Sequence, residues 1–211
     1  MFMQPYTKQY RFGFITTSDI EIHDLLRAWI AISLAFAIML SNANIFSSQI
    51  IYYFFLAALS VGVGFIFHEM GHKIVAQHYG CFAEFRANNF MLWLAILMSF
   101  FGFLFAAPGA VMIQGPVGTR RNGKISMAGP MMNLVIALVL LSNILIFPLT
   151  GFVRDVFLYG FMINSWLALF NMIPIGNFDG RKILTWNKVV YGAMVAAALI
   201  FMLVQSFVLK A

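Results

Sequence analysis

The chain reads as an all-α polytopic membrane protein with five or six transmembrane helices. Three observations predict this. Of its 211 residues, 62% are hydrophobic and only 9% charged, against about 45–50% and about 25% in an average soluble domain. The apolar residues also come in runs long enough to cross a hydrocarbon core, for which ~20 residues suffice. Finally, His68-Glu69-Met70-Gly71-His72 lies inside one such run, where ionisable side chains are costly and tend to be retained for a purpose.

Residues 1–24 form an N-terminal interfacial segment. Within it Asp19-Ile20-Glu21-Ile22-His23 alternates polar and apolar, the period of a half-buried strand. Asp24 is placed to cap the first span, Leu25 to about Asn42. The long polar lead-in ahead of that run argues against a cleavable signal. From Ile50 to about Tyr79 runs a second helix with the histidine motif in its last third, and Gly80 stops it. Phe90 to Ala107 is apolar enough to span; Pro108-Gly109-Ala110 and a polar loop through Lys124 follow. Ile125–Phe147, Val153–Ile173 and Val189–Leu209 are the remaining spans. No polar stretch is long enough for a second domain, so residues 25–211 form one membrane-embedded unit.

The net charge of +6 fits cytoplasmic loops rather than nucleic-acid binding. The single Cys81 excludes an internal disulfide and a four-thiolate zinc site. The 24 Phe and 14 Met residues read as lipid-facing or packing side chains.

Two histidines four apart on a helix point the same way and can share one metal ion. A glutamate beside the first can reach water there as a general base, the arrangement of zinc hydrolases. His68 and His72 are therefore candidate zinc ligands and Glu69 the candidate base. A third ligand is needed. Of the other acids, Asp19, Glu21 and Asp24 precede the first span, Glu84 sits in a surface-like loop and Asp155 at a helix start. Asp179 remains, in Asn171-Met172-Ile173-Pro174-Ile175-Gly176-Asn177-Phe178-Asp179-Gly180, where Pro174 and the glycines interrupt an apolar helix. Asp-Gly is also a common turn pair, and that reading stands beside the ligand one. His78 falls on another helix face and His23 before the first span, so neither is expected on zinc.

Five spans fit better than six. His72 and Asp179 each lie near the C-terminal end of a helix, so sharing a metal requires an even number of crossings between them. If about 90–113 enters and returns without crossing, 11 of the 13 Lys and Arg residues fall on one side. Six spans split them 7 to 6, against the positive-inside rule. A re-entrant hairpin at about 90–113 is the expectation, buried in protein or lining a cavity.

Three motifs resemble the site-2 protease family of intramembrane zinc metalloproteases. They are His68-Glu69-Met70-Gly71-His72, Gly129-Pro130-Met131-Met132-Asn133, and Asn171-x-x-Pro174-x-x-x-x-Asp179-Gly180. Together they span residues 50 to about 185 in the family's order. The resemblance implies one zinc ion on His68, His72 and Asp179, with Glu69 activating water. It implies a three-helix catalytic core, here about 50–79, 125–147 and 153–173, and a membrane-embedded β-hairpin between the first two core helices, here about 90–113. Asn133 and Asn171 become candidates for binding substrate or supporting the site. Gly129 and Pro130 are read as helix-start geometry and Pro174 as part of the third-ligand loop. Two positions depart from the family pattern: Asn177 stands where proline is frequent and Arg181 where a second glycine is frequent.

The function so implied is hydrolysis of peptide bonds in or near transmembrane segments, as in regulated intramembrane proteolysis. Its partners would be a transmembrane protein substrate and the lipid bilayer, with no nucleic acid and with any adaptor or oligomer left open. The site would lie near the cytoplasmic face of the cell membrane, with substrate held extended along a hairpin edge near 106–123. The alternatives are a multi-pass metal transporter and a non-catalytic zinc-binding scaffold. Neither needs a glutamate beside the first histidine.

Overall fold

A computed structural model describes residues 8–103 and 108–208. Residues 104–107 of the predicted hairpin, residues 1–7 and Lys210 lie outside the described residues.

The protein is mostly helical, as expected, and the described residues add two small antiparallel sheets: Phe82–Ala87 with Gly109–Gln114, a hairpin of the expected kind, and Gln9–Phe12 with Ile15–Ser18, which was not expected. The element order is β1 (Gln9–Phe12), β2 (Ile15–Ser18), α1 (Asp19–Leu40), α2 (Gln49–Ala57), α3 (Val63–His78), β3 (Phe82–Ala87), α4 (Asn89–Ser99), β4 (Gly109–Gln114), α5 (Thr119–Ile146), α6 (Gly151–Asn171), α7 (Asp179–Trp186) and α8 (Lys188–Val208). A π-helical turn, Ala58–Gly62, joins α2 to α3 in one run of 30 residues, Gln49–His78. Among the described residues four helices are long and apolar enough to cross a membrane: Asp19–Leu40, Gln49–His78, Thr119–Ile146 and Lys188–Ser206. That suits a multi-pass membrane protein. Two predicted spans fall outside this set. One is α6, which has 21 residues but carries Arg154, Asp155, Asn164 and Ser165. The other is the region around α4, which is only 11 residues long.

Helix α1 begins at Asp19, capped by Ser18, whose Oγ accepts from the Glu21 N–H at 3.3 Å. Asp24 is therefore not the cap, and residues 19–23 are not a strand. The buried face is Glu21, Asp24, Ala28, Ala31, Ile32 and Ala35, a helical period that hydropathy misses because its first two members are charged. Asp24 pairs with Arg27.

The π turn is held from outside the helix. Trp29 Nε1 donates to the Ala58 carbonyl at 3.0 Å, and a Cβ at Gly62 would collide with the same indole. An inserted residue frees a carbonyl, and here α1 satisfies it.

Strands β3 and β4 pair in register from Phe82↔Gln114 to Ala87↔Gly109. The first strand of the hairpin thus lies upstream of residue 90, where a surface-like loop was expected. Glu84 is buried within it, paired with Arg86 and accepting from Ser18 Oγ at 3.2 Å. Phe85 packs edge-to-face on Phe65 of α3, centroids 5.6 Å apart, and this fixes the hairpin against the motif helix.

Helix α5 starts at Thr119, not at 125 or at Gly129-Pro130. Residues 119–124 are polar, so an apolar window excludes them, yet nothing in them breaks a helix. Gly123 lets Trp186 pack where a Cβ would collide, which seats α7 on α5. Pro130 stands inside the helix, where it removes one backbone donor.

Candidate metal centre

Helices α3, α5, α6 and α7 converge on His68, His72 and Asp179. The two histidines sit one turn apart on α3, Nε2 to Nε2 3.1 Å. Asp179 opens α7 and points Oδ2 at both, 3.0 Å from His72 Nε2 and 3.5 Å from His68 Nε2. The ligand atoms all lie within 4.8 Å of one another and all three residues are buried.

The outer nitrogens of both rings are engaged. His68 Nδ1 meets Asn133 Oδ1 at 2.6 Å and His72 Nδ1 meets the Ile125 carbonyl at 2.8 Å. An imidazole that donates from Nδ1 presents an unprotonated Nε2. Both Nε2 atoms therefore face one point together with a carboxylate oxygen, a donor set suited to zinc. Asn133 is held in turn, donating through Nδ2 to the Gly64 carbonyl at 3.2 Å and to Asn164 Oδ1 at 2.9 Å. Asn164 donates to the Gly160 carbonyl at 2.8 Å. Three helices are thereby joined behind His68. Among the described residues no buried side-chain nitrogen or oxygen lacks a partner.

Burial alone would raise the Asp179 carboxyl above its ordinary value. When the two Nε2 atoms carry protons instead of a metal, the cationic imidazoles of His72 and His68 outweigh burial and hold it well below the usual carboxylate range. Its other oxygen, Oδ1, lies 3.6 Å from Lys182 Nζ. Gly180 packs so tightly on the Met172 carbonyl that a Cβ would overlap it, which explains the glycine after the aspartate.

Gly129 is not at a helix start, and its place explains it otherwise. A Cβ there would strike the rings of His72 and His68. Gly129→Ala is therefore expected to lower zinc affinity by at least ~10-fold, the smaller end of what disturbing ligand orientation costs. Competition with a chelator measures it, and an unchanged affinity would mean the rings swing aside freely.

Glu69 is buried beside His68, and the Val111 backbone of β4 lies close to its carboxylate. Asn133 is brought to the cluster. Asn171 is not: its amide donates to the Leu167 carbonyl of its own helix at 2.9 Å. Pro174 lies in the turn between α6 and α7. Sequence reasoning missed Asn164 and the Ile125 carbonyl. The first left a signal, a polar amide in an apolar helix; a backbone carbonyl leaves none.

No family model matches the chain, and no solved structure matches it. It is 38% identical over 192 residues to a protein of Methanocaldococcus jannaschii named "Putative zinc metalloprotease", covering 90% of this chain and 96% of that one. With that identity across nearly the whole of both chains, the protein belongs to this zinc metalloprotease family.

Proposed function

We propose that the protein is an intramembrane zinc metalloprotease of the site-2 type, an endopeptidase acting on peptide bonds in or beside transmembrane segments. One observation carries this reading: among the described residues no third strand pairs with β4, whose Val111 lies beside Glu69.

The edge follows from the ladder. Glu21 Oε1 accepts from the Phe85 N–H at 2.8 Å and Asp24 Oδ2 from the Ala87 N–H at 3.2 Å, while Gln77 Nε2 donates to the Ala83 carbonyl at 2.9 Å. Odd-numbered residues of β3 thus turn their backbone groups away from β4, and side chains occupy them. Across the ladder, Gly109, Val111 and Ile113 pair with Ala87, Phe85 and Ala83. Their groups must point outward on the other edge, where Val111 meets Glu69. Of the two edges, β4 is the one open to strand addition.

A substrate helix hides its carbonyls in internal hydrogen bonds, and once unwound its backbone needs new partners. Adding it to β4 supplies them and lays a carbonyl beside Glu69. Zinc held by His68, His72 and Asp179 would polarise that carbonyl and make water more acidic. Glu69 takes the proton from the attacking water and gives it to the leaving amine. The C–N bond breaks, hydroxyl adds to the carbonyl carbon and hydrogen to nitrogen. Asn133 holds His68, and Gly129 makes room for both rings.

The antiparallel pairing supports a re-entrant excursion, because Ala87↔Gly109 returns the chain to the level at which it left. Basic side chains gather at this end: Arg120, Arg121 and Lys124 in the first turns of α5, and Arg181 and Lys182 in α7. By the positive-inside rule this is the cytoplasmic end.

The test is cleavage of a single-span protein by the reconstituted enzyme, blocked by a chelator and restored by zinc. Ile113→Pro removes one outward N–H from an edge where proline is tolerated. It should cut kcat/KM by about 3–10-fold, mainly through KM, the worth of one hydrogen bond. Unchanged kinetics would contradict strand addition.

A further inference from the structure

Taking the protease reading as its basis, we propose that Glu21 and Asp24 are positioning residues: they hold the β3–β4 hairpin at a set height beside Glu69, and so choose the bond that is cut.

One rung of the hairpin lies between two carboxylates. Phe85 and Val111 are partners in the ladder. The Phe85 N–H donates outward to Glu21 Oε1 at 2.8 Å, and on the opposite edge the backbone of Val111 lies beside Glu69. The rung is therefore tied to a carboxylate of α1 on one side and faces the base on the other. Asp24, one helical turn on, takes the next outward N–H of the same strand, that of Ala87.

The second oxygen of Glu21 fixes the grip to the motif helix. Oε2 accepts from Thr17 Oγ1 at 2.6 Å and pairs with Lys73 Nζ, and Lys73 directly follows His72. Glu21 is fully buried and Lys73 is 1% exposed. The carboxylate thus joins α1, the hairpin and the helix of the metal ligands at one point. Apolar residues of similar size would fill this space at no loss of stability, but they would accept nothing from Phe85. A strand slipped by one residue turns every group to the opposite side, so pinning a single rung fixes the alignment of any segment added to β4.

Two double variants separate this role from packing. Glu21→Gln/Lys73→Met and Glu21→Leu/Lys73→Met both replace the ion pair with a neutral core. Only the Gln variant keeps an oxygen for the Phe85 N–H. The full chain in liposomes is given a single-span substrate; kcat, KM, zinc content and the cleaved bond (by mass spectrometry) are measured. Amide exchange over 82–87 and 109–114 is followed in parallel.

The Gln variant is expected to cut at the wild-type bond. The Leu variant should spread its cuts over neighbouring bonds and lose about 10-fold in kcat at equal zinc content. Its Phe85 and Val111 amides should exchange about 10-fold faster, the effect of one lost buried hydrogen bond. Identical bonds, rates and exchange in the two variants would overturn the proposal. If the Leu variant does not fold, Asp24→Leu frees the Ala87 rung without stranding a buried cation, because the Arg27 side chain is 56% exposed. Cleavage confined to the wild-type bond in that variant would overturn the proposal equally. If the wild type cuts nothing, the protease reading falls separately, and the exchange comparison still decides whether the carboxylates hold the hairpin.

Discussion

Glu69→Gln is expected to lower peptide hydrolysis by between about 10² and 10⁴-fold, the range supplied by a placed general base. Zinc should remain at the wild-type level. Glutamine matches glutamate in size and keeps an oxygen facing β4, so the hairpin should stay where it is. What it loses is the ability to take a proton. The pairing of lost turnover with retained metal makes the result specific. A transporter would keep moving metal with this substitution, and a scaffold would have no turnover to lose. Loss of zinc in Glu69→Gln would mean instead that Glu69 helps hold the metal.

Asp179→Ala and Asn133→Ala are expected to separate a ligand from the residue that orients one. Removing the outer partner of His68 should cost zinc affinity about 10–100-fold. Removing Asp179 should cost more than about 100-fold, because two imidazoles alone leave the site short of the three protein ligands such centres use. Chelator competition on the purified variants gives both values. If Asp179→Ala binds zinc as the wild type does, the third ligand lies elsewhere, and the convergence of Oδ2 on both Nε2 atoms is only an ion pair.

Much of the centre was legible in the sequence, because its chemistry is local. A four-residue spacing puts His68 and His72 on one helix face, and the scarcity of acids left few partners for them. The structure brings Asp179 to that pair at 3.0 and 3.5 Å. Asn133 could not be decided from its type; its contact with His68 depends on how α5 crosses α3. Gly129 was read as a helix start because glycine and proline ordinarily end helices, whereas here the glycine yields space to two rings.

The hairpin was misplaced for a related reason. Its strands have six residues each and are separated by α4, so no local period links Phe85 to Val111. Glu21 was read in an interfacial stretch, Asp24 as a helix cap and Glu84 in a surface-like loop. Glu21 and Asp24 are buried because the outer edge of β3 offers N–H groups that only an acceptor can satisfy, and Glu84 because Ser18 Oγ and Arg86 meet it there; an acceptor inside an apolar chain resembles a loop residue until its partner is known. Asn171 shows the opposite case: it lies in a motif associated with the site, yet its amide serves the end of its own helix.

The most direct test of the central claim is the position of the cut. A single-span protein labelled at both ends would be incubated with the enzyme in liposomes, with Glu69→Gln as the control, and the products weighed by mass spectrometry. The expected product is a zinc-dependent cut within the apolar segment or at its border on the basic side, absent in the control. Cleavage confined to the substrate's soluble loops, or intact substrate with zinc bound and metal crossing the bilayer, would contradict that claim.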